Sequence, residues 1–470
     1  MIEKQNIHFV GIGGIGMSAI AEILHGIGFK ISGSDLIENI NTRRLKKKGI
    51  KVFNNHKSSN VFGADFLVYS TAIKDTNVEF KTAVKKKIPL YSRAMMLAEV
   101  MRLKPSITIS GSHGKTTTTS LISSILEYSG FDPTIINGGI INEINANAKL
   151  GKGEWIVAEA DESDGSFKIL PSTIGVINNI DLEHVDYYKN LDEIKKAFVD
   201  YSKNIPFYGF LSINIDDKNI RSIKKKLSKK KVVTFGFSKK ADFYIENQEM
   251  IKSNNSFYSK FDIITNKKNK KVCKNVIIPL LGSHNILNAT CSYTIAKGLK
   301  ISDIKIKQAL KLYKGVKRRF SIIYNNNSNI IIDDYAHHPK EILTTINSLK
   351  SISKNKIITV FEPHRFSRIK QMKNEFLKCF KLVDSIFILP VYAAGENLDK
   401  NFDNDFLSKL FKKKFDKKFI KPVKNNISFF KNLAQHIGKN DNIIFLGAGQ
   451  SSIIANNFSN FFEDYVKKNH

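Results

Sequence analysis

Cysteine, tryptophan and acidic side chains are all scarce in this 470-residue chain, and each shortage removes a class of function. The three cysteines, Cys273, Cys291 and Cys379, are odd in number and widely spaced. They fit neither a disulfide framework nor a thiolate metal site, and a reducing cytoplasm is their natural setting. No apolar run reaches the roughly 18 residues that a membrane-spanning helix needs. The opening Met1-Ile-Glu-Lys-Gln-Asn6 has no basic-then-apolar export pattern. Solenoid repeats and long low-complexity tracts are missing as well. The deficit of acid leaves 74 Lys and Arg against 43 Asp and Glu, a formal charge of +31. Such an excess raises the question of nucleic acid. The lysines, however, come in short dispersed runs such as Lys46–Lys48 and Lys412–Lys414, beside a single Trp and no aromatic-interleaved RNA signature. No nucleic-acid partner is expected, and an anionic small molecule suits the charge equally well. The length suffices for two or three domains.

What is present is strand alternating with helix, the pattern of mainly parallel α/β sheets. Ile7–Val10 reads as a strand, followed by Gly11-Ile-Gly-Gly-Ile-Gly16 and an apolar helix to about His25, with Asp35 ending a second strand. Gly11, Gly13 and Gly16 form a G-x-G-x-x-G turn that lets a backbone approach a pyrophosphate. NAD, FAD, another nucleotide diphosphate and a structural glycine turn all remain open on this motif alone.

The most informative stretch is Ser110-Gly-Ser-His-Gly-Lys-Thr-Thr-Thr-Thr119, between a strand at Ser106–Ile109 and a helix expected over Leu121–Tyr128. A Gly-Lys-Thr turn there cradles phosphate with backbone N–H groups, a lysine charge and a hydroxyl for Mg²⁺. Only Ser112 and His113 separate Gly111 from Gly114, two residues where the common nucleotide loop has four. With both loops the chain has two phosphate sites, and a dehydrogenase needs one.

Glu159, Asp161, Glu162 and Asp164 crowd the end of an apolar strand at Ile156–Glu159. That much negative charge calls for a cation, and Mg²⁺ on ATP is the obvious one. Residues 232–280 carry short alternating segments that suggest a small antiparallel sheet before a helix at Asn285–Lys297. Strands at Ile330–Asp333, Ile357–Phe361, Ser385–Pro390 and Asn442–Leu446 each lead into a polar turn. Two of these turns are Asp333-Asp-Tyr-Ala-His-His-Pro339 and Glu362-Pro-His-Arg-Phe-Ser-Arg368. Arg365 and Arg368 suit a carboxylate or a transferring phosphoryl group, and His337 or His338 could steer a proton.

Taken in order over essentially the whole chain, these motifs resemble the Mur ligases. The resemblance rests on Gly11–Ser18, Gly111–Thr119, Glu159–Phe167, Gly282–Ala289, Gly315–Phe320, Asp333–Pro339, Pro363–Arg368, Val391–Glu396 and Gly447–Gly449. It implies three α/β domains: a Rossmann-like UDP-sugar domain (1–104), a central P-loop ATPase domain with a mainly parallel sheet plus a small antiparallel one (105–317), and a Rossmann-like amino-acid domain (318–470). The UDP sugar would lie on Gly11, Gly13, Gly14, Ile15, Gly16, Met17 and Ser18, with Asp35, His56 and the Ser70-Thr71-Ala72 turn. ATP would take Gly111, Ser112, His113, Gly114, Lys115, Thr116 and Thr117, with His284, Asn285 and Asn288 towards the adenine. Thr116, Glu159 and His184 are the implied Mg²⁺ ligands. The third domain is implied to present Arg319, Tyr335, His337, His364, Arg365 and Arg368 to the amino acid and the phosphoryl group.

Lys115, His337, Arg365 and Arg368 are then the catalytic candidates. The implied reaction is ATP-driven amide formation, in which the lactyl carboxylate of UDP-N-acetylmuramate becomes an acyl phosphate and the amine of L-alanine displaces phosphate. A monomer and a homodimer stay equally open. Some positions depart from the family pattern: Ser112 for Thr, Ala336 for Gly, Glu362 for Gln, Ala393 for Pro, and Gln450, Ser451 and Ser452 for an acidic residue, Ile and Gly. None removes an implied ligand. Among rivals, a recycling ligase that attaches a whole peptide would carry Tyr at Ser163. A folylpolyglutamate synthetase would not open with the 11–16 turn, and a nicotinamide oxidoreductase leaves Lys115 unexplained.

Overall fold

The computed structural model describes residues 5–70, 72–184, 187–227, 230–253, 256–266, 271–326, 328–424 and 426–469. By compactness the chain divides into two units, one of 1–249, 260–279 and 285–316, the other of 250–259, 280–284 and 317–470.

The first unit begins with a five-stranded parallel sheet in the order Lys51–Phe53, Lys30–Ser34, Asn6–Val10, Phe66–Tyr69, Leu90–Ser92. Its first strand feeds the helix Ile15–Gly26, whose inner residues Ala19, Ile20, Ala21, Ile23 and Leu24 are buried. The strand order reverses between Asn6–Val10 and Phe66–Tyr69, which opens a crevice at their carboxyl ends. The glycine turn and the Ser70 turn leave the sheet there.

A ten-stranded sheet follows, in the order Lys271–Ile278, Ser256–Thr265, Phe243–Ser253, Val232–Gly236, Phe210–Asn214, Ile174–Ile177, Ser106–Ser110, Ile156–Glu159, Thr134–Ile141, Ala146–Lys149. The middle strands pair in parallel, and Thr134–Ile141 pairs antiparallel with Ala146–Lys149. Ile107, Ile109, Val157, Val176 and Ile177 are buried, as expected for strands covered on both faces. The alternating segments of 232–280 are not a separate small sheet. Val232–Gly236 pairs in parallel with Phe243–Ser253 and joins them to the large one.

Within the second unit lies a six-stranded sheet in the order Ser321–Asn325, Ile330–Asp334, Asn442–Leu446, Ile357–Phe361, Ser385–Ile388, Phe419–Pro422. All its pairings are parallel except that of Ser321–Asn325. One apolar cluster packs each face, around Phe361, Phe376 and Phe380 on one side and Phe445 and Phe458 on the other.

The helix expected from Leu121 starts at Lys115 and runs to Tyr128. β-Branched residues cost a helix only a few tenths of a kcal/mol each (about 0.5), and tertiary burial outweighs that. Thr116, Thr117, Thr118 and Thr119 are all buried, and Thr118 Oγ1 accepts from Asn178 Nδ2 at 3.0 Å. Among the described residues no helix is long and apolar enough to cross a membrane.

Candidate active site

In the first unit, the loop after Ser106–Ser110 lies between the turns that end the two flanking strands, Ile156–Glu159 and Ile174–Ile177. Gly114 stands directly before the helix with φ +80°, a left-handed conformation that a side chain would strain. A Cβ there would also meet Asn288 Oδ1 at 2.8 Å. The helix has no side-chain cap, so its first N–H groups suit an anion.

The turn after Ile174–Ile177 shapes this loop. Ser112 N–H donates to the Asn179 carbonyl (3.2 Å), His113 N–H donates to Asn179 Oδ1 (2.7 Å), and Asp181 N–H donates to Ser112 Oγ (2.8 Å). His113 Nε2 lies 3.1 Å from Asp181 Oδ2. Thr117 is buried, and Asn288 Nδ2 donates to Asn285 Oδ1 at 3.2 Å, on the helix that flanks Gly114.

Lys115 Nζ donates to the Gly111 carbonyl at 2.8 Å and to both carboxylate oxygens of Glu162 at 2.9 Å. Burial works to lower the lysine pKa, but the charges of Glu162, Asp161 and Glu159 outweigh it and leave the pKa raised, so the ammonium is permanent. Glu162 itself is only 2% exposed. Sequence reasoning read it as one of an acidic run and missed it as the partner of Lys115.

The three implied metal ligands fall into two adjacent groups. Thr116 Oγ1 donates to Glu159 at 3.0 and 3.2 Å. Glu159 also accepts from Gly138 N–H at 2.8 Å, and a Cβ on Gly138 would sit 2.5 Å from that carboxylate. His184 Nε2 lies instead 3.6 Å from Glu162, and ligand atoms of Asp161, Glu162 and His184 are all within 4.8 Å of one another. Burial raises the Glu159 pKa, with Lys115 opposing it. Buried oxygen donors with incomplete countercharge fit a hard divalent cation. Burial would lower the His184 pKa, but the Glu162 carboxylate outweighs it and the pKa is raised.

In the crevice of the five-stranded sheet, Gly11 and Ile12 N–H groups donate to the Ser34 carbonyl at 2.8 and 3.0 Å. Asp35 Oδ2 accepts from Gly13 N–H at 2.9 Å, so this carboxylate orders the glycine turn itself. Gly14 and Ile15 are exposed at the helix start and Gly16 is half-buried. Met17 and Ser18 are buried, and Ser18 Oγ donates to the Ile15 carbonyl. No side chain caps this helix either. Ser70 borders the turn, with Ala72 N–H donating to its Oγ at 3.4 Å. Thr71 lies outside the described residues. His56 Nδ1 lies 3.0 Å from Ser34 Oγ and 2.9 Å from Glu79.

The second unit gathers its own constellation at the carboxyl edge of the six-stranded sheet. Tyr335 N–H donates to the Arg318 carbonyl (2.8 Å), and the guanidinium groups of Arg318 and Arg319 lie 4.7 and 5.3 Å from its ring centre. His337 Nδ1 is 2.9 Å from the Tyr335 carbonyl, which makes Nδ1 the donor and leaves Nε2 an acceptor. The His337 and His364 rings are 4.9 Å apart, and His364 stacks on Tyr392 at 5.6 Å. Arg368 Nη1 donates to His364 Nδ1 at 3.2 Å. Burial, with Arg368 adding to it, brings the His337 pKa down to about 4; burial, His337 and Arg368 bring that of His364 down to about 3. Both rings are neutral at ordinary pH. Arg365 precedes the helix Phe366–Cys379 with φ +67°, its N–H donating to the Tyr392 carbonyl at 2.9 Å. His338 instead caps the helix Pro339–Ile352, and His284 packs beside Gly282.

The Gly447–Gln450 turn closes this edge. Glu362 accepts from Gly449 and Gln450 N–H groups at 2.8 Å each, and the Gly447 carbonyl accepts from Arg318 at 2.6 Å. Ser452 Oγ donates to Asp333 at 2.5 Å. The departures from the family pattern at 362, 451 and 452 therefore sit on one hydrogen-bonded turn.

Comparison with known proteins covers the whole of this architecture. Residues 6–105 match the model of the Mur ligase family catalytic domain, 109–296 the Mur ligase middle domain and 318–449 the Mur ligase glutamate ligase domain. A UDP-N-acetylmuramate–L-alanine ligase of Rickettsia typhi is 42% identical over 459 residues, 96% of this chain and 91% of the relative. That of Rhizobium johnstonii is 45% identical over 394 residues, 83% of each chain. The crystal structure of the UDP-N-acetylmuramate-alanine ligase from Thermotoga maritima is similar with a TM-score of 0.81 at 27% identity, covering 98% of this chain and 100% of that one.

Proposed function

The chain belongs to the Mur ligase family, and from that premise we propose that it joins L-alanine to the lactyl carboxylate of UDP-N-acetylmuramate at the expense of ATP, in peptidoglycan precursor synthesis. The observation that carries the reading is Lys115, a permanent cation between the Gly111 carbonyl and Glu162 at the head of an uncapped helix. A second uncapped glycine-turn helix in the same unit supplies a separate diphosphate site.

Residues 1–104 bind the UDP sugar, 105–317 bind ATP, and 318–470 bind the amino acid. Thr116 and Glu159, with His184 beside them, would hold Mg²⁺, which would supply neutralisation of phosphate charge. Lys115 exchanges Glu162 for the β- and γ-phosphates and steadies the γ-phosphoryl group as the lactyl carboxylate attacks it. The product of that step is an acyl phosphate. Arg365 and Arg368 stabilise the negative charge that develops as the alanine amine adds and phosphate leaves. His337 is suited to take a proton from the incoming ammonium, because it is neutral with an acceptor Nε2. The free, buried cysteines accord with a cytoplasmic setting.

Purified protein should release phosphate only when ATP, Mg²⁺, UDP-N-acetylmuramate and an amino acid are all present. Equal turnover without L-alanine would sink the assignment. Turnover with a peptide but not with L-alanine would move the chain to the recycling branch.

A further inference from the structure

At the end of the ten-stranded sheet away from the phosphate loop, two large aromatic rings stand in water. The helix Leu191–Ser202 reaches the strand Phe210–Asn214 through Lys203-Asn-Ile-Pro-Phe-Tyr-Gly209. Gly209 N–H donates to the Pro206 carbonyl at 3.1 Å, so Phe207 and Tyr208 are the two central residues of a β-turn. Turn centres favour Gly, Pro, Asn and Asp, each for a reason of backbone geometry that Phe and Tyr do not meet. Phe207 is 94% exposed and Tyr208 71%, with their rings 5.3 Å apart and edge to face. Rings so exposed bury little surface, and the fold gains little from them.

The turn is held in place from below. Asn204 Nδ2 donates to the Lys168 and Leu170 carbonyls at 2.6 and 3.0 Å, and Lys230 Nζ donates to the Ile205 carbonyl at 2.6 Å. Ile205 is buried, and a Cβ on Gly209 would strike the Thr173 carbonyl at 1.9 Å. Positive charge surrounds the tip. Lys203 and Lys231 are exposed, Lys168 and Lys230 half-buried, and residues 203–209 include no acid. Asp200 reaches one of the four lysines, Lys203, at 2.7 Å. Exposed Ile169 extends the apolar tip beside Lys168. Phe210 and Ile107 stand level across the sheet, each opposite Ile174, whereas the phosphate loop begins at Gly111. Four strand residues, about 13 Å, separate the two ends.

We infer that the Phe207–Tyr208 turn docks the protein on the surface of an anionic phospholipid bilayer, its two rings entering the headgroup layer while the lysines around them meet lipid phosphate. Aromatic rings with a cationic surround suit that layer, where one part of the side chain is apolar and the setting is wet and negative. The tip is a protruding two-residue turn and offers a peptide no groove. A second copy of a chain with a formal charge of +31 is repelled from it. Docked by this end, the protein keeps the phosphate loop turned away from the lipid.

The test is flotation of the full chain with vesicles of phosphatidylglycerol and phosphatidylcholine, against vesicles of phosphatidylcholine alone. Wild-type protein should float with the anionic vesicles and not with the neutral ones, and raised salt should weaken the binding. The net charge alone could bring any such protein to the lipid, so the aromatic pair decides. The double variant Phe207→Ser, Tyr208→Ser should lose at least about tenfold in vesicle affinity, with its phosphate release unchanged. Phe207→Trp, Tyr208→Trp should restore the binding. Vesicle binding is read without substrates, so its outcome is independent of the reaction assigned above. Failure of the wild-type protein to float overturns the inference, as does equal flotation of the Ser variant. A dimer seen by sedimentation and lost in the Ser variant would make the occupant a second copy and overturn it as well.

Discussion

At the scale of single residues, the second unit holds two histidines in the neutral state inside a ring of arginines, and this sets how the protein responds to acid. His337 has a pKa of about 4 and His364 of about 3 when folded, against 6.5 in an unfolded chain. Below pH 6.5 the unfolded chain takes protons at these positions and the folded chain does not, so stability falls as the pH falls through that window. Asp334 works in the opposite sense. Burial raises its pKa to about 6, so its contribution is full below the ordinary 3.8 and is lost as the pH rises through 6. A comparison with a variant isolates the histidine. Denaturant unfolding at pH 7 and pH 5 should show wild-type protein losing about 2 kcal/mol more on acidification than His364→Gln. Equal losses would mean that His364 is not held neutral by the fold. Chemically, the same burial keeps the His337 imidazole neutral at neutral pH, with its Nε2 lone pair free of a proton.

At the scale of elements, the phosphate loop depends on a neighbour that no local motif announces. The strand Thr134–Ile141 passes Gly138 so close to Glu159 that only a hydrogen fits, and its N–H pins the carboxylate against Thr116. Gly138→Ala should push Glu159 out of place. The Mg²⁺ concentration for half-maximal phosphate release should then rise by about tenfold or more, with UDP binding unaffected. An unshifted Mg²⁺ titration would remove Glu159 from the metal site. Why some of this was legible and some was not follows from distance along the chain. The glycine turns, the lysine loop and the His-Arg turns each directly follow a strand, so short spacing exposes them. Gly138 meets Glu159 from 21 residues away, Glu79 meets Ser34 from 45, and Glu362 meets Gly449 from 87. Only the folded sheets bring those pairs together. The early helix start at Lys115, ahead of four threonines, has a related cause. The weak helix propensity of threonine is a local term, and the burial of all four side chains in the folded unit overrides it.

At the scale of the whole molecule, the two nucleotide sites proposed above follow strands of different sheets, and that separation makes the division of labour testable. Lys115 opens the helix that follows a strand of the ten-stranded sheet, while the 11–16 glycine turn follows a strand of the five-stranded one and is ordered by Ser34 and Asp35. Lys115→Ala should therefore abolish phosphate release, by roughly 10³-fold or more for the loss of a charge-neutralising group. Its calorimetric affinity for UDP-N-acetylmuramate should stay within about twofold of wild type. The variant also strands Glu162, which is 2% exposed, so its unfolding free energy should fall by about 3 kcal/mol. Glu162→Gln combined with Lys115→Ala should recover much of that stability and none of the activity. Joint loss of UDP-sugar binding and turnover in a folded Lys115→Ala would mean that the two nucleotide sites have been exchanged. Retained turnover would mean that the charge steadying the phosphoryl group comes from elsewhere.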